Sequence, residues 1–247
     1  MWERMSFLYA LRSAIAYVLI VLYILIVGPV GLFVGGVLRW KRGMYALGHG
    51  GVGLALALTG IRYRVAGRDQ VPAGTAVVFC SNHESNVDPA VLFRGLHPQL
   101  HVLYKSELRN VPLMKTVLDV GGFVAVDRGD LESAMRSLSQ GAASLRAGNS
   151  FLIFPEGTRS RTGALLPFKK GGFIMAIQAQ APIIPVAVMG GRNAMRKGSA
   201  FVRPVRVSVR IGEPVPTAGL TVDDRDELVA RVRGEVQRLL DRGPVWT

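Results

Sequence analysis

The chain has 247 residues, 30 of them Lys or Arg and 17 Asp or Glu, for a formal net charge of +13 at pH 7. It is 49% hydrophobic and only 19% charged, with a mean hydropathy of +0.30, which excludes an intrinsically disordered chain. Its one cysteine, Cys80, excludes an internal disulfide framework and a cysteine-based zinc site.

The hydrophobic surplus sits at the N-terminus. Ser13 to Leu38 is an uncharged run of 26 residues bracketed by Arg12 and Arg39. As one helix it reaches roughly 39 Å at about 1.5 Å per residue, against a bilayer core of about 30 Å. The run is too long for a signal-peptide core, and no small-residue cleavage site follows it. Gly28-Pro29 lies near its middle, where proline breaks the backbone ladder. A second uncharged and glycine-rich run, Gly43 to Ile61, is only marginally long enough to span.

Basic residues flank both ends of the first run: Arg4 and Arg12 before it, Arg39, Lys41 and Arg42 after it. Lys and Arg favour the cytoplasmic side, so the pattern predicts a re-entrant, monotopic hairpin broken at Gly28-Pro29, with a single kinked crossing as the alternative. Residues 1–61 then form a membrane-anchoring segment and residues 62–247 an α/β domain on the cytoplasmic face of the cell membrane.

Beyond Ile61 short apolar runs alternate with helical patterns. Strands are predicted at Ile61–Val65, Thr75–Cys80, His101–Tyr104, Phe123–Val126, Phe151–Phe154, Ile184–Val188 and Val205–Ile211. Several are continuously apolar, as strands covered on both faces are. Leu131, Met135, Leu138, Ala142 and Leu145 recur at helical spacing, with Asp130 at the start and Gly148 at the stop. Leu228, Val232, Val236 and Leu239 mark a final helix that Thr221 or Asp223 can cap. The alternation predicts an α/β layer fold with a mixed, mostly parallel sheet flanked by helices.

Directly after the second strand comes Ser81-Asn82-His83-Glu84-Ser85-Asn86-Val87-Asp88-Pro89. His83 can take a proton near pH 7, and a carboxylate on its other ring nitrogen fixes the tautomer. Five residues separate His83 from Asp88, so a turn leading into a helix must bring them together. Asp88-Pro89 reads as that helix start, with Asp as cap and Pro at the first position. The plainer alternative is a capping aspartate beside an unrelated loop histidine. Ser85 lacks a nucleophile elbow and reads as a turn hydroxyl, and Cys80 reads as core. His97 and His101 are separated by Pro98 and have no evident third partner, so no metal site is expected.

Phe151-Leu152-Ile153-Phe154-Pro155-Glu156-Gly157-Thr158-Arg159 is a strand entering a polar turn. Gly157 permits close backbone approach, Thr158 offers a hydroxyl, and Arg159 offers a fork suited to phosphate. Glu156 is expected to orient Arg159 or a neighbouring donor. A solvated basic loop would look similar.

Together the two motifs resemble the glycerolipid acyltransferases, most closely the bacterial 1-acylglycerol-3-phosphate acyltransferases. Two further blocks stand in the family's order: Gly122-Phe123-Val124-Ala125-Val126-Asp127-Arg128 and Ala181-Pro182-Ile183-Ile184-Pro185-Val186. Ala125 stands where the family often has a large apolar residue. The resemblance covers roughly Val77 to Val188, and it implies an α/β domain with an N-terminal membrane-associated helical segment. It further implies transfer of a fatty acyl chain from acyl-CoA or acyl-acyl carrier protein to the sn-2 hydroxyl of lysophosphatidate, giving phosphatidate. His83 would be the general base and Asp88 its orienting partner. Glu156, Gly157, Thr158 and Arg159 would form the acceptor phosphate site, with Arg128 and Lys105 as secondary candidates. Backbone N–H groups near Gly157 or in the His83 turn would meet the oxyanion.

No cofactor is expected, the thioester being a co-substrate. The alternatives are another acceptor (glycerol-3-phosphate or another lyso-lipid), a membrane-bound esterase or thioesterase, or a non-catalytic basic membrane adaptor. Nucleic acid is not an expected partner, because aromatic residues are not interleaved with a basic stripe. The first 61 residues hold five Lys or Arg and one Glu, so the rest carries +9. That charge suits an anionic leaflet, a phosphate-bearing acceptor and an acidic carrier.

Overall fold

A computed structural model describes residues 2–246 apart from 111–113, 128–129 and 196–200. The chain opens with a helical hairpin, α1 (Trp2–Leu32) and α2 (Lys41–Thr59). The α/β portion follows in the order β1 (Arg62–Ala66), β2 (Val78–Ser81), α3 (Asp88–Gly95), β3 (Leu100–Lys105), α4 (Met114–Gly121), β4 (Val124–Val126), α5 (Leu131–Arg146), β5 (Ser150–Ile153), α6 (Gly171–Ala179), β6 (Ile183–Met189), β7 (Arg206–Ile211) and α7 (Arg225–Asp241).

Among the described residues the sheet has seven strands, in the order β1-β7-β6-β2-β5-β3-β4. Every neighbouring pair is parallel except β6 and β7. The mixed, mostly parallel sheet is therefore present, with each predicted strand overlapping an observed one. β2 and β5 are buried along their whole length, which is why their sequences are apolar runs without alternation. One core lies between the sheet and the α2–α3 face, built on Phe79, Leu92, Leu152 and Ile184. A second lies under α5, α6 and α7, built on Phe151, Phe173, Met175 and Val232.

The hairpin is not broken where proline suggested. α1 runs through Gly28-Pro29 to Leu32 and widens into a π-helical turn at Phe33–Val37. The chain then reverses at residues 38–40, with Arg39 at φ 52°. Leu38 N–H reaches Phe33 O at 3.1 Å and Trp40 N–H reaches Val34 O at 3.0 Å. Pro29 removes one ladder bond, at a cost of about 3 kcal/mol. A reversal there would leave several carbonyls and N–H groups unpaired inside an apolar run, which costs more. The reversal falls instead where Arg39, Lys41 and Arg42 bring polar side chains. Tyr23 Oη donates to Leu47 O at 2.7 Å and ties the two arms together.

Two helix starts also differ from expectation. α3 begins at Asp88 itself, and the Asp88 side chain turns back to the preceding loop instead of capping the helix. Thr221 closes a capping box with Asp224 over the short turn Val222–Asp224 that precedes α7. Asp130 does cap α5, accepting from Glu132 N–H at 3.0 Å.

Candidate active site

β6, β2 and β5 lie side by side and parallel, so the loops leaving their carboxyl ends meet at one edge of the sheet. This is where open α/β sheets bind ligands. The loop after β2 carries His83, the loop after β5 carries Glu156 to Arg159, and the loop after β6 carries Gly190, Gly191 and Arg192.

His83 Nδ1 lies 2.9 Å from Asp88 Oδ2. The same oxygen accepts from the N–H groups of Glu84 and Ser85, each at 2.7 Å. The Asp88 side chain is wholly buried, while the His83 side chain keeps 16% of its surface open. The His83 ring and two backbone N–H groups thus converge on Oδ2. A carboxylate against Nδ1 favours the imidazole tautomer that leaves Nε2 as the acceptor. Phe154 stacks on the ring with centroids 4.2 Å apart, which holds its plane. Asp88 Oδ1 is buried without a partner among the described residues. Gly191 packs against it, and a Cβ at that position would stand 2.6 Å from Oδ1.

Glu156 does not orient Arg159. Its Oε1 accepts from His83 N–H at 2.7 Å and its Oε2 from Leu166 N–H at 3.0 Å. Burial pushes this carboxyl above its ordinary range, and the Leu166 and His83 amides pull it back. A further bond, Ser160 N–H to His83 O at 2.8 Å, completes the strap between the two motifs. The Glu156 carboxylate therefore positions the histidine backbone.

Glu84, adjacent in sequence to His83, clasps the third loop. Its Oε1 accepts from Gly191 N–H at 2.7 Å and Arg192 N–H at 3.2 Å. Burial, and then Asp88, push its carboxyl upward. Asn82 fixes the end of β6 that leads into this loop, exchanging two bonds with the Val188 backbone at 2.9 and 2.8 Å. A cleft of about 440 Å³ opens beside this clasp, lined by Glu84, Thr158, Arg159, Arg161, Arg192 and Met195 among others. Among the described residues three arginines face one carboxylate there, a balance that favours an anion. Arg192 was missed from sequence because Gly-Gly-Arg after an apolar strand has no distinctive pattern. Only the sheet order brings it opposite Arg159.

Gly157 adopts φ 68°, and its N–H is held by Phe154 O at 3.0 Å. The N–H groups of His83, Glu84 and Ser85 are likewise committed. The backbone donors expected to meet an oxyanion at these four positions are thus occupied. Lys105 ends β3, but its side chain, like Arg128, lies outside the described residues. Among the described residues, no group of three His, Cys, Asp or Glu is placed to hold a metal ion. His97 bonds its own loop through Gln99 O, and His101 and Cys80 are buried.

A family model described as Acyltransferase matches residues 62–189, more than half of the chain. The chain belongs to the acyltransferase family. This acyltransferase is 34% identical to the 1-acyl-sn-glycerol-3-phosphate acyltransferase of Limnanthes douglasii over 75% of its length and 66% of that protein's. It is 35% identical to the 1-acyl-sn-glycerol-3-phosphate acyltransferase alpha of Mus musculus over 71% of its length and 62% of that protein's. The chain thus spans just under two thirds of these relatives. The crystal structure of the 1-acyl-sn-glycerophosphate (LPA) acyltransferase PlsC from Thermotoga maritima matches it with a TM-score of 0.80. That match covers 96% of this chain and 97% of the other at 24% identity, and shows the shared fold.

Proposed function

We propose that this acyltransferase moves a fatty acyl chain from acyl-CoA or acyl-acyl carrier protein to the sn-2 hydroxyl of 1-acylglycerol-3-phosphate, producing phosphatidate. The observation that carries the reading is the His83–Asp88 pair at 2.9 Å beside an arginine-lined cleft. The names of the relatives support the choice of acceptor.

His83 Nε2 takes the proton of the acceptor hydroxyl as that oxygen attacks the thioester carbonyl. The C–O bond forms, the tetrahedral intermediate collapses, the C–S bond breaks, and the imidazolium returns its proton to the departing thiolate. General-base help of this kind is worth about 10²–10⁴-fold. Asp88 stabilises the imidazolium, and Glu156 holds the histidine backbone in place. Arg159 and Arg192 bind the acceptor phosphate, with Thr158 beside them. Lys105 and Arg128 are further candidates for that phosphate. Oxyanion donors are drawn from groups outside the committed N–H set.

The enzyme works at the surface of the cell membrane with its α/β domain on the cytoplasmic side. α1 exposes Leu11, Ile15, Val18, Leu22, Leu25 and Ile26, and the stretch Leu8–Val37 is long and apolar enough to cross a bilayer. Both ends of the hairpin nevertheless touch the α/β domain. Ser13 Oγ accepts from Val202 N–H at 2.9 Å at one end, and Tyr45 Oη donates to Gly121 O at 2.9 Å at the other. A helix lying along the domain in this way suits burial in one leaflet rather than a crossing.

The test is acyl transfer by the purified full chain, using labelled acyl-CoA and acyl-carrier protein with a panel of acceptors. Label should leave the thioester only when lysophosphatidate is present, and Arg159→Ala should raise the acceptor KM about tenfold or more, a loss of the size of one charge-assisted contact. Thioester hydrolysis without an acceptor would make the protein a thioesterase. Equal use of glycerol-3-phosphate would move the assignment to that acceptor.

A further inference from the structure

A groove unconnected with the catalytic chemistry runs along α2. Three adjoining clefts of about 710, 480 and 340 Å³ share lining residues: Arg94 belongs to the first two, and Arg12 and Arg62 to the last two. Ala46, His49, Gly53 and Leu56 line it from α2 at three- and four-residue spacing, with Gly60 just past the helix end, so one face of that helix forms its wall. Six arginines border it: Arg12, Arg42, Arg62, Arg68, Arg94 and Arg206. Among the described residues no Asp or Glu lines any of the three clefts, and none of the six arginines forms an ion pair. Gly53 leaves the room that Arg94 uses, since a Cβ there would stand 3.3 Å from Arg94 Nε. Arg12 is tethered to the end of α2 by a 2.7 Å bond to Leu58 O.

Depth argues for what fills this groove. α1 lies outside α2 and turns its large apolar side chains away from the protein. Packed helices lie about 8–10 Å apart, and each interfacial layer of a bilayer is roughly 5–8 Å thick. With α1 among the acyl chains, α2 and its groove fall at the level of the headgroups.

We propose that the α2 groove binds the phosphate headgroups of anionic phospholipids in the leaflet that holds α1. It is a recognition surface separate from the acceptor site. Guanidinium forks match phosphate oxygens in pairs. The groove also makes binding selective for anionic membrane, a property that α1 alone does not provide. This inference rests on the membrane reading above.

The experiment measures binding of the full chain to vesicles of phosphatidylcholine alone and of phosphatidylcholine mixed with phosphatidylglycerol, over a range of salt. The wild type should bind both, with a salt-sensitive gain on the anionic vesicles. A variant with Arg42→Gln, Arg62→Gln, Arg68→Gln and Arg94→Gln should bind neutral vesicles like wild type and keep its turnover in detergent micelles. Its anionic gain should fall by up to roughly fivefold per arginine removed, which for four arginines is a few hundredfold at most, and by no less than about tenfold in all. The matching four-lysine variant should retain most of that gain. Inorganic phosphate should not displace the wild type from anionic vesicles at equal ionic strength; displacement would make this a free-phosphate site and overturn the proposal. An unchanged anionic preference in the glutamine variant overturns it as well, while leaving α1 insertion standing. Unchanged vesicle binding with selective loss of turnover on acyl-carrier protein would make the groove a surface for that acidic partner instead. Failure of the wild type to bind neutral vesicles removes the membrane reading itself.

Discussion

Around His83, buried and half-buried carboxylates organise the backbone. Asp88, Glu84 and Glu156 each accept from main-chain N–H groups, and between them they join loops that leave three different strands. Along α1 the situation is reversed. Its large side chains are apolar, many are exposed, and only a few polar contacts, such as those of Ser13 and Tyr23, tie it to the rest. The first region depends on individual atoms, because a buried donor left unpaired carries its full desolvation cost. The second depends on summed apolar area, so it tolerates single changes.

The sharpest test of that contrast is at the histidine. His83→Ala should lower turnover by about 10²–10⁴-fold, and Asp88→Asn by a comparable factor through the wrong tautomer, with vesicle binding unchanged in both. Comparable losses from substitutions on α1, assayed at full membrane occupancy, would break the contrast.

Glu156 comes next. Glu156→Ala leaves the N–H groups of His83 and Leu166 without their acceptor, which should cost about 2–5 kcal/mol of stability, read from denaturant midpoints. Glu156→Gln keeps one acceptor oxygen and should lose less. If both variants unfold like wild type, the strap between the motifs is not a stabilising element.

A third test concerns pH. Burial, with Lys41 and His97 adding to it, pushes the His101 imidazole down from its ordinary 6.5 to about 4. Between these values the unfolded chain holds a proton that the folded chain does not. Stability from this residue is therefore full above about pH 6.5 and is lost as pH falls toward 4, with a limiting slope of about 1.4 kcal/mol per pH unit. His101→Phe preserves packing against Tyr45, Phe123 and Phe151 and should flatten that limb in urea titrations from pH 7 to 5. An unaltered slope would assign the acid sensitivity to other groups.

The smallest effect is expected on α1. Leu25 is 62% exposed, so Leu25→Ala should change folding stability by less than about 0.5 kcal/mol and weaken vesicle binding by roughly tenfold at most. A large stability loss would show that this face is covered by protein.

Much of the fold was legible because its signals are local. Val77 to Cys80 and Phe151 to Phe154 are apolar runs ending in polar turns, and buried parallel strands require that composition. The His83–Asp88 spacing and the Arg159 turn were likewise readable as candidate chemistry. The hairpin reversal was misplaced because one proline within a long apolar helix costs less than turning the chain there, and the first charged residues decide the matter ten residues later. Of the two partners expected for Glu156, Arg159 or a neighbouring donor, the structure shows backbone donors, and the more distant one was not legible. One of its acceptor oxygens serves an amide 73 residues away, and no sequence spacing reports that distance.

By itself, the sequence determined the strands, the amphiphilic division between an apolar N-terminus and a basic α/β domain, and the chemical types at the site. Hydrophobic pattern and side-chain chemistry act over a few residues, so they can be read along the chain. The order β6-β2-β5, which sets Arg192 across from Arg159, was decided by tertiary structure alone. So was the docking of α2, which lines up arginines from α1, α2, α3, β7 and the β1 region in one groove. These arrangements depend on which buried surfaces find each other, and that is a property of the packed whole.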